Sequence, residues 1–113
     1  MATRLRRKLE RLQARLLALG PICPGRVTRQ ENVCGKAGCR CKDPRHPRKH
    51  GPYHYLSFTF RGRSRTMFVP VDCLEEMTRR TRDYEEFRRL VEEWIEVGIE
   101  LARKEVLGFD EGR

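Results

Sequence analysis

Three cysteines lie within eight residues in the segment Cys34-Gly-Lys-Ala-Gly-Cys39-Arg-Cys41, and this cluster constrains the fold more than any other feature. Thiols this close together can converge on one metal ion, and the two glycines allow the backbone to curl tightly around it. Zinc takes four such ligands in a tetrahedron, so the cluster predicts a structural Zn2+ with one further ligand. We expect His50 to supply it, because a ligand there ties the loop to the strand predicted after Gly51-Pro52. The alternative fourth ligands are His46, His54 and Cys23.

Other uses of these cysteines fit the sequence less well. Disulfides are disfavoured by the odd number of five cysteines, by the tight Cys-x-Cys spacing and by an N-terminus without the apolar block of a signal peptide. A thiol redox switch would need an activated thiolate, which the surrounding cations permit but do not require. Cys34 or Cys39 with His50 could form a nucleophile and base, but catalytic thiols rarely occur in threes, so we do not expect an enzyme. Cys73 is expected to be a buried apolar thiol.

The pattern around the cluster predicts an α+β fold in one domain of residues 1–113. Residues 21–52 lack apolar periodicity, and free, unliganded cysteines would leave nothing to order them, so we expect a metal to do so. The predicted elements in chain order are a helix over 1–20, a basic Cys/His loop over 21–52, a two-stranded antiparallel hairpin over 53–70 turning at Arg61-Gly62-Arg63, a long helix over 71–107 and a tail over 108–113.

The two predicted helices carry apolar residues at alternating spacings of three and four, which is the seam of helix–helix packing. We therefore expect the first helix to pack antiparallel on the long one, or the long seam to be a dimer interface. The first seam consists of Leu5, Leu9, Leu12, Leu16 and Leu19. The second consists of Met77, Tyr84, Phe87, Val91, Trp94, Gly98 and Leu101. In the hairpin, strand alternation assigns Leu56, Phe58 and Phe60 to the core face and Tyr53 and Tyr55 to the opposite face.

Charge divides the chain into a cationic and an anionic part. Residues 1–65 hold 17 Lys and Arg against 3 Asp and Glu, whereas residues 66–113 hold 8 against 13. Any polyanion site is therefore expected in the first part, where arginine outnumbers lysine and suits bidentate contacts to phosphate and guanine. Tyr53 and Tyr55 are either free to stack on bases or covered by the metal loop. The candidate nucleic-acid contacts are Arg26, Arg29, Lys36, Arg40, Lys42, Arg45, Arg48, Lys49, Tyr53, Tyr55, Arg61, Arg63 and Arg65.

The Cys34–Cys41 segment and the segment His50-Gly-Pro-Tyr-His-Tyr-Leu-Ser57 together resemble a known family. These are uncharacterised prokaryotic domains with a CGKxxCxC…HGPYxYLS signature, often encoded near transposases and other mobile elements. The resemblance spans about residues 26–100. It implies that Cys34, Cys39, Cys41 and His50 act as one functional set. The second aromatic of the family's usual run is His54 here.

The sequence as a whole predicts a zinc-stabilised protein that binds DNA or RNA, as an accessory subunit of a larger nucleoprotein or mobile-element machine. Its rival is a protein-interaction or dimerisation module that uses the long C-terminal helix. No stretch approaches the ~20 apolar residues of a membrane span, so we expect no membrane partner and a cytoplasmic location in a prokaryotic cell.

Overall fold

The computed structural model describes residues 2–32 and 36–108 and has the α+β fold expected from the sequence. The chain forms two compact units, one of Met1–Ile22 with Arg82–Arg113 and the other of Cys23–Thr81. The single domain predicted from chain length stays a prediction, and the predicted tail beyond residue 108 lies outside the described residues. The elements are α1 (Ala2–Ala18), β1 (Arg26–Asn32), β2 (His50–Phe60), β3 (Arg63–Val69) and α2 (Leu74–Leu101), which a π-helical turn extends over Ala102–Val106.

The first unit is a pair of antiparallel helices, as predicted. Leu12 is buried among residues of α2, and the other leucines of the α1 seam pack around it. Two ion pairs fix the direction of packing. Arg6 pairs with Glu105 (Nη2–Oε1, 2.7 Å), and Arg15, which is further along α1, pairs with Glu86.

The face of α2 that α1 covers differs from the predicted seam. Leu90 is fully buried and Val97 is 2% exposed, and both pack with Leu12 of α1. Of the predicted seam, Leu101 is buried, whereas Phe87 and Trp94 are 37% and 41% exposed. At 100° per residue the predicted seam lies roughly 70° around the helix from Leu90 and Val97. The apolar part of α2 is therefore wider than the face that α1 covers.

The second unit contains a three-stranded antiparallel sheet in the order β1-β2-β3, which corrects the predicted two-stranded hairpin. Residues 21–52 are not a continuous loop, because β1 pairs with β2 from Arg26↔Ser57 to Asn32↔His50 and β2 already begins at His50. The hairpin turn has two residues, Arg61 and Gly62, and Arg63 is the first residue of β3. Cys73 lies in a 3₁₀ turn before α2 and is exposed rather than buried, because the turn presents it to solvent.

A β-bulge interrupts the pairing of β1 with β2 next to the cysteine segment. Gln30 pairs with Tyr53 and Asn32 pairs with His50, so one residue of β1 lies opposite two of β2. The side chains of paired residues lie on the same face of the sheet. Gln30 and Asn32 also share a face, because they are two residues apart in one strand. The bulge therefore places His50 on the same face as Tyr53 and Tyr55, whereas uninterrupted alternation would assign it to the face of Leu56.

The ion pair between Arg6 and Glu105 gives a pH dependence to the first unit. The hydrogen bond from Arg6 holds the pKa of Glu105 below its ordinary value of 4.5. A carboxylate with a lowered folded-state pKa stabilises the fold above its unfolded pKa, and this contribution is lost as pH falls through the folded value. We expect the urea midpoint to fall more between about pH 5 and pH 3 in the wild type than in Glu105→Gln. Equal decreases would show that other carboxylates carry the acid sensitivity.

Candidate metal centre

Cys39, Cys41 and His50 bring their ligand atoms within 4.8 Å of one another. The Cys39 Sγ and His50 Nε2 atoms are 3.2 Å apart. Cys41 is 2% exposed, and the other two side chains are half-buried. Two thiols and an imidazole are therefore gathered at the start of β2 in a partly enclosed place.

Tight backbone turns place the two cysteines. The N–H of Cys39 donates to the carbonyl of Lys36 (3.4 Å), and the N–H of Lys42 donates to the carbonyl of Cys39 (3.0 Å). Cys41 lies inside the 3₁₀ turn Arg40–Lys42. Two successive turns thus allow thiols separated by one residue to point toward a common centre.

Gly51 positions the third ligand. Its φ of +112° lies in the region that favours glycine, and a Cβ atom there would stand 2.9 Å from the carbonyl oxygen of Gln30. The main chain of β2 therefore approaches β1 more closely than any other residue type would permit. Since Gly51 forms part of the bulge, this approach also sets the position from which His50 extends.

The chemistry of the three side chains fits a zinc ion. Tetrahedral zinc with thiolate and imidazole ligands has edges of about 3.6–3.8 Å between ligand atoms, comparable to the separations observed here. Cys39, Cys41 and His50 would hold the ion, and the predicted Cys34 lies outside the described residues. A structural zinc site has four protein ligands, whereas a catalytic site has three and a water, so these three side chains leave one position to be filled.

The alternative fourth ligands do not join this group in the described part of the chain. His46 is exposed, and its backbone N–H donates to Asp43 Oδ1 (3.3 Å). His54 lies in β2 opposite Arg29 and Val69, on the other face of the sheet from His50. Cys23 contacts the neighbouring carbonyl of Pro24 (3.5 Å). Of the residues weighed as the fourth ligand, the structure thus brings His50 to the cysteines.

The predicted nucleic-acid contacts lie in three places in the second unit. Arg26 and Arg29 are on β1, where Arg29 pairs with Glu31 (2.9 Å). The largest group lies in the cysteine turns and in the segment that follows them up to β2, and it consists of Lys36, Arg40, Lys42, Arg45, Arg48 and Lys49. The third group consists of Arg61, Arg63 and Arg65 at the hairpin tip.

The tyrosines form an aromatic cluster with a residue that the sequence analysis did not single out. Phe68 on β3 contacts Tyr55 edge-to-face (ring centroids 5.8 Å apart) and Tyr53 likewise (6.4 Å). Tyr53 is 36% exposed and Tyr55 is half-buried, so the metal loop does not cover this face completely. Phe60, which was assigned to the core, is 56% exposed. Strand alternation indicates on which face of the sheet a side chain lies, but not how much of that face other residues cover. The sequence therefore could not identify the rings of Tyr53 and Phe60 as exposed.

Comparison with known proteins gives a family but no activity. A family model described as a domain of unknown function (DUF6788) matches residues 2–79. No curated protein and no solved structure is detectably similar to the chain. Within the described residues, neither helix has the length and apolar composition needed to cross a membrane.

Proposed function

The chain belongs to the family described as a domain of unknown function (DUF6788), which assigns no activity, and we propose from its own residues that it is a zinc-stabilised nucleic-acid-binding protein. The observation that carries the proposal is the Cys39–Cys41–His50 group at the base of a strongly basic loop. Zinc, when bound, cross-links a segment that has little apolar core of its own. An accessory role in a mobile-element machine stays a prediction from the signature.

Cys34 is the proposed fourth ligand, and the strand register supports it. Asn32 is paired with His50, so the main chains of these residues are neighbours. Two residues of extended chain span at most ~7 Å, which limits how far Cys34 can lie from Asn32. Chain length therefore permits Cys34 to serve as the fourth ligand of the group that already contains His50.

The basic loop, residues 36–49, is closed into a turn by hydrogen bonds of its own polar groups, and these bonds do not use its Lys and Arg side chains. The N–H of Arg48 donates to the carbonyl of Arg40 (2.9 Å). Asp43 is the only carboxylate between residues 36 and 71, and its Oδ1 accepts the N–H of Arg45 (2.9 Å). A structural role for this carboxylate leaves the loop with a large cationic excess, which suits phosphate binding.

Salt-dependent binding tests this proposal. We expect the wild type to bind an oligonucleotide with an affinity that falls steeply with salt, since counterions are released from phosphates. Replacing Arg40 and Arg45 with alanine should weaken binding and reduce the slope of log affinity against log salt by about 0.7–0.9 per lost phosphate contact. Fluorescence anisotropy at several salt concentrations measures both.

The matched control is the double variant Arg7→Ala/Arg82→Ala. Both residues are exposed on helices of the first unit, so it removes the same charge from the other unit. We expect binding within about 2-fold of the wild type, since only the overall field changes. Equal weakening in the two double variants would mean that net charge alone drives binding and would reject the basic loop as the contact surface.

A second candidate function, self-association, is favoured by the uncovered apolar face of α2. Ile95 and Ile99 are 58% and 56% exposed beside the exposed rings of Phe87 and Trp94. Arg88 borders this face toward one end and Glu96 toward the other. An antiparallel second copy centred between them would place Arg88 of each chain near Glu96 of the other, which is the self-complementarity that a two-fold dimer requires.

The oligomeric state tests this second candidate. We expect sedimentation to give a dimer for the wild type and a monomer for Trp94→Glu, which buries a charge in the proposed interface. Leu17→Glu is the matched control, because Leu17 is 87% exposed on α1 and lies outside that face. A monomeric wild type at all concentrations would reject the dimer.

A further inference from the structure

The tip of the β2–β3 hairpin forms a separate cavity of about 320 Å³. Phe58 pairs with Arg65 and Phe60 pairs with Arg63, so alternate residues of both strands project on one face. The buried Leu56 lies on this same face of the sheet, whereas Phe60 at the hairpin tip is exposed. The cavity is lined by Phe58, Phe60, Arg61, Arg63 and Arg65.

The cavity combines an exposed aromatic ring with unneutralised positive charge. Phe60 is 56% exposed, and the guanidinium carbon of Arg61 lies 5.3 Å from the centre of its ring. The sequence contains no carboxylate between Asp43 and Asp72. Among the described residues, no ion pair involves Arg63 or Arg65. Their charge is thus available to an external anion.

The hairpin turn carries arginine where another residue would be more favourable for folding. Arg61 has φ 51° and Gly62 has φ 77°, so both central residues adopt positive φ, as in a type I′ turn. Asn-Gly is the usual sequence for such a turn, because asparagine tolerates this conformation better than arginine does. Backbone strain of this kind concentrates at functional sites, which agrees with a binding role for the Arg61 side chain.

We propose that this cavity binds single-stranded nucleic acid by stacking one unpaired base on Phe60, with Arg63 and Arg65 on the flanking phosphates. The inference rests on the proposed nucleic-acid-binding function and specifies its substrate class. A volume at the low end of ligand sites suits a single nucleotide rather than a large ligand. An unpaired base exposes the flat face that the ring needs, whereas a duplex hides it in the stack.

The Phe60 ring distinguishes this ligand from other polyanions. An acidic peptide or a duplex would use the three arginines but gain little from the ring. The base face and the phosphate are common to single-stranded DNA and RNA, so both belong to the proposed class. The 2′-hydroxyl is the group by which the site would separate them.

Binding of matched oligonucleotides to Phe60→Ala tests the inference. We expect affinity for a single strand to fall about 5- to 150-fold, the equivalent of one lost stacking contact, and affinity for a duplex to change less than about 2-fold. Phe60→Tyr retains a stacking ring and should bind within about 2-fold of the wild type. Zinc content and the unfolding temperature should be unchanged in both variants, since Phe60 is largely exposed.

Arg61→Asn separates folding from binding at the same turn. Asparagine relieves the positive φ, so we expect an unfolding temperature equal to or above that of the wild type together with weaker single-strand binding. Lower stability with unchanged binding would contradict a binding role for Arg61. Single-stranded DNA and RNA of the same sequence are compared in parallel, and either preference agrees with the inference.

The possible failures are distinguishable. If the wild type binds no nucleic acid, both the proposed function and this inference fail. If the wild type binds but Phe60→Ala binds equally well, or loses duplex and single-strand affinity alike, the base-stacking site alone is rejected. Polyglutamate that displaces the bound single strand as effectively as a competing oligonucleotide does would also reject it, because the cavity would then be a general anion site.

Discussion

The Cys39→Ser protein is expected to purify with almost no bound zinc, whereas we expect the wild type to carry one ion per chain. Cys39 Sγ is 3.2 Å from His50 Nε2 and belongs to the three-residue group, and a serine hydroxyl is a poor replacement for a thiolate. Structural zinc contributes about 10–16 kcal/mol in small zinc-dependent peptides. Loss of the ion should therefore unfold residues 36–49, which contain one short 3₁₀ turn and no strand. Elemental analysis gives the metal content, and amide hydrogen exchange locates the unfolding.

Cysteines outside the group provide the matched controls. Cys73→Ser and Cys23→Ser should keep one zinc per chain, because neither residue belongs to the group that could hold a metal. His46→Ala and His54→Ala should also retain the metal, whereas His50→Ala should lose it. Retention in His50→Ala with loss in His54→Ala would contradict the proposed ligand set and the face assignment that the bulge produces.

Sequence patterns predicted the elements whose signals are local. The leucines of α1 recur at helical spacing and pack as expected, and the β2–β3 hairpin lies where alternation placed it. The proximity of Cys39, Cys41 and His50 could be predicted, because the two cysteines are close in sequence and Gly51-Pro52 marks the place where the chain returns to the sheet. The helical spacing of the leucines and the alternation in the hairpin also predicted the α+β class correctly.

The strand β1 could not be predicted in the same way. Its sequence, Arg-Val-Thr-Arg-Gln-Glu-Asn, contains one apolar residue and therefore has no alternation that would mark a strand. It is an edge strand whose order comes from hydrogen bonds to β2, and charged residues are common on such edges. The bulge that turns His50 to the tyrosine face is likewise a property of the pairing between two strands.

The long helix was predicted correctly, but the face of it that packs on α1 was assigned wrongly, for a different reason. Apolar residues extend over about half of the circumference of α2, from Leu90 through Phe87 to Ile99 at 100° per residue. A three/four alternation can therefore be drawn along more than one line. The sequence favoured the line through the aromatic residues, whereas α1 packs along the line through Leu90 and Val97.

Leu90→Ala should destabilise the helical unit far more than Phe87→Ala does. Leu90 is fully buried against α1, so truncation loses its apolar contacts and leaves a cavity, at a cost of about 2–5 kcal/mol. Phe87 is 37% exposed, and its ring stacks on the ring of Tyr84. Its truncation should cost about 1 kcal/mol. Urea unfolding followed by circular dichroism measures both changes in the free energy of unfolding.

Protein concentration separates packing within the chain from packing between copies. The effect of Leu90→Ala should be the same at all concentrations, because Leu90 contacts α1 of its own chain. If α2 also forms a dimer, the wild-type midpoint rises with concentration, since association stabilises the folded state by mass action, and Phe87→Ala abolishes that rise. Equal losses for Leu90→Ala and Phe87→Ala in a monomer would contradict the observed packing and would favour the line through the aromatic residues as the true seam.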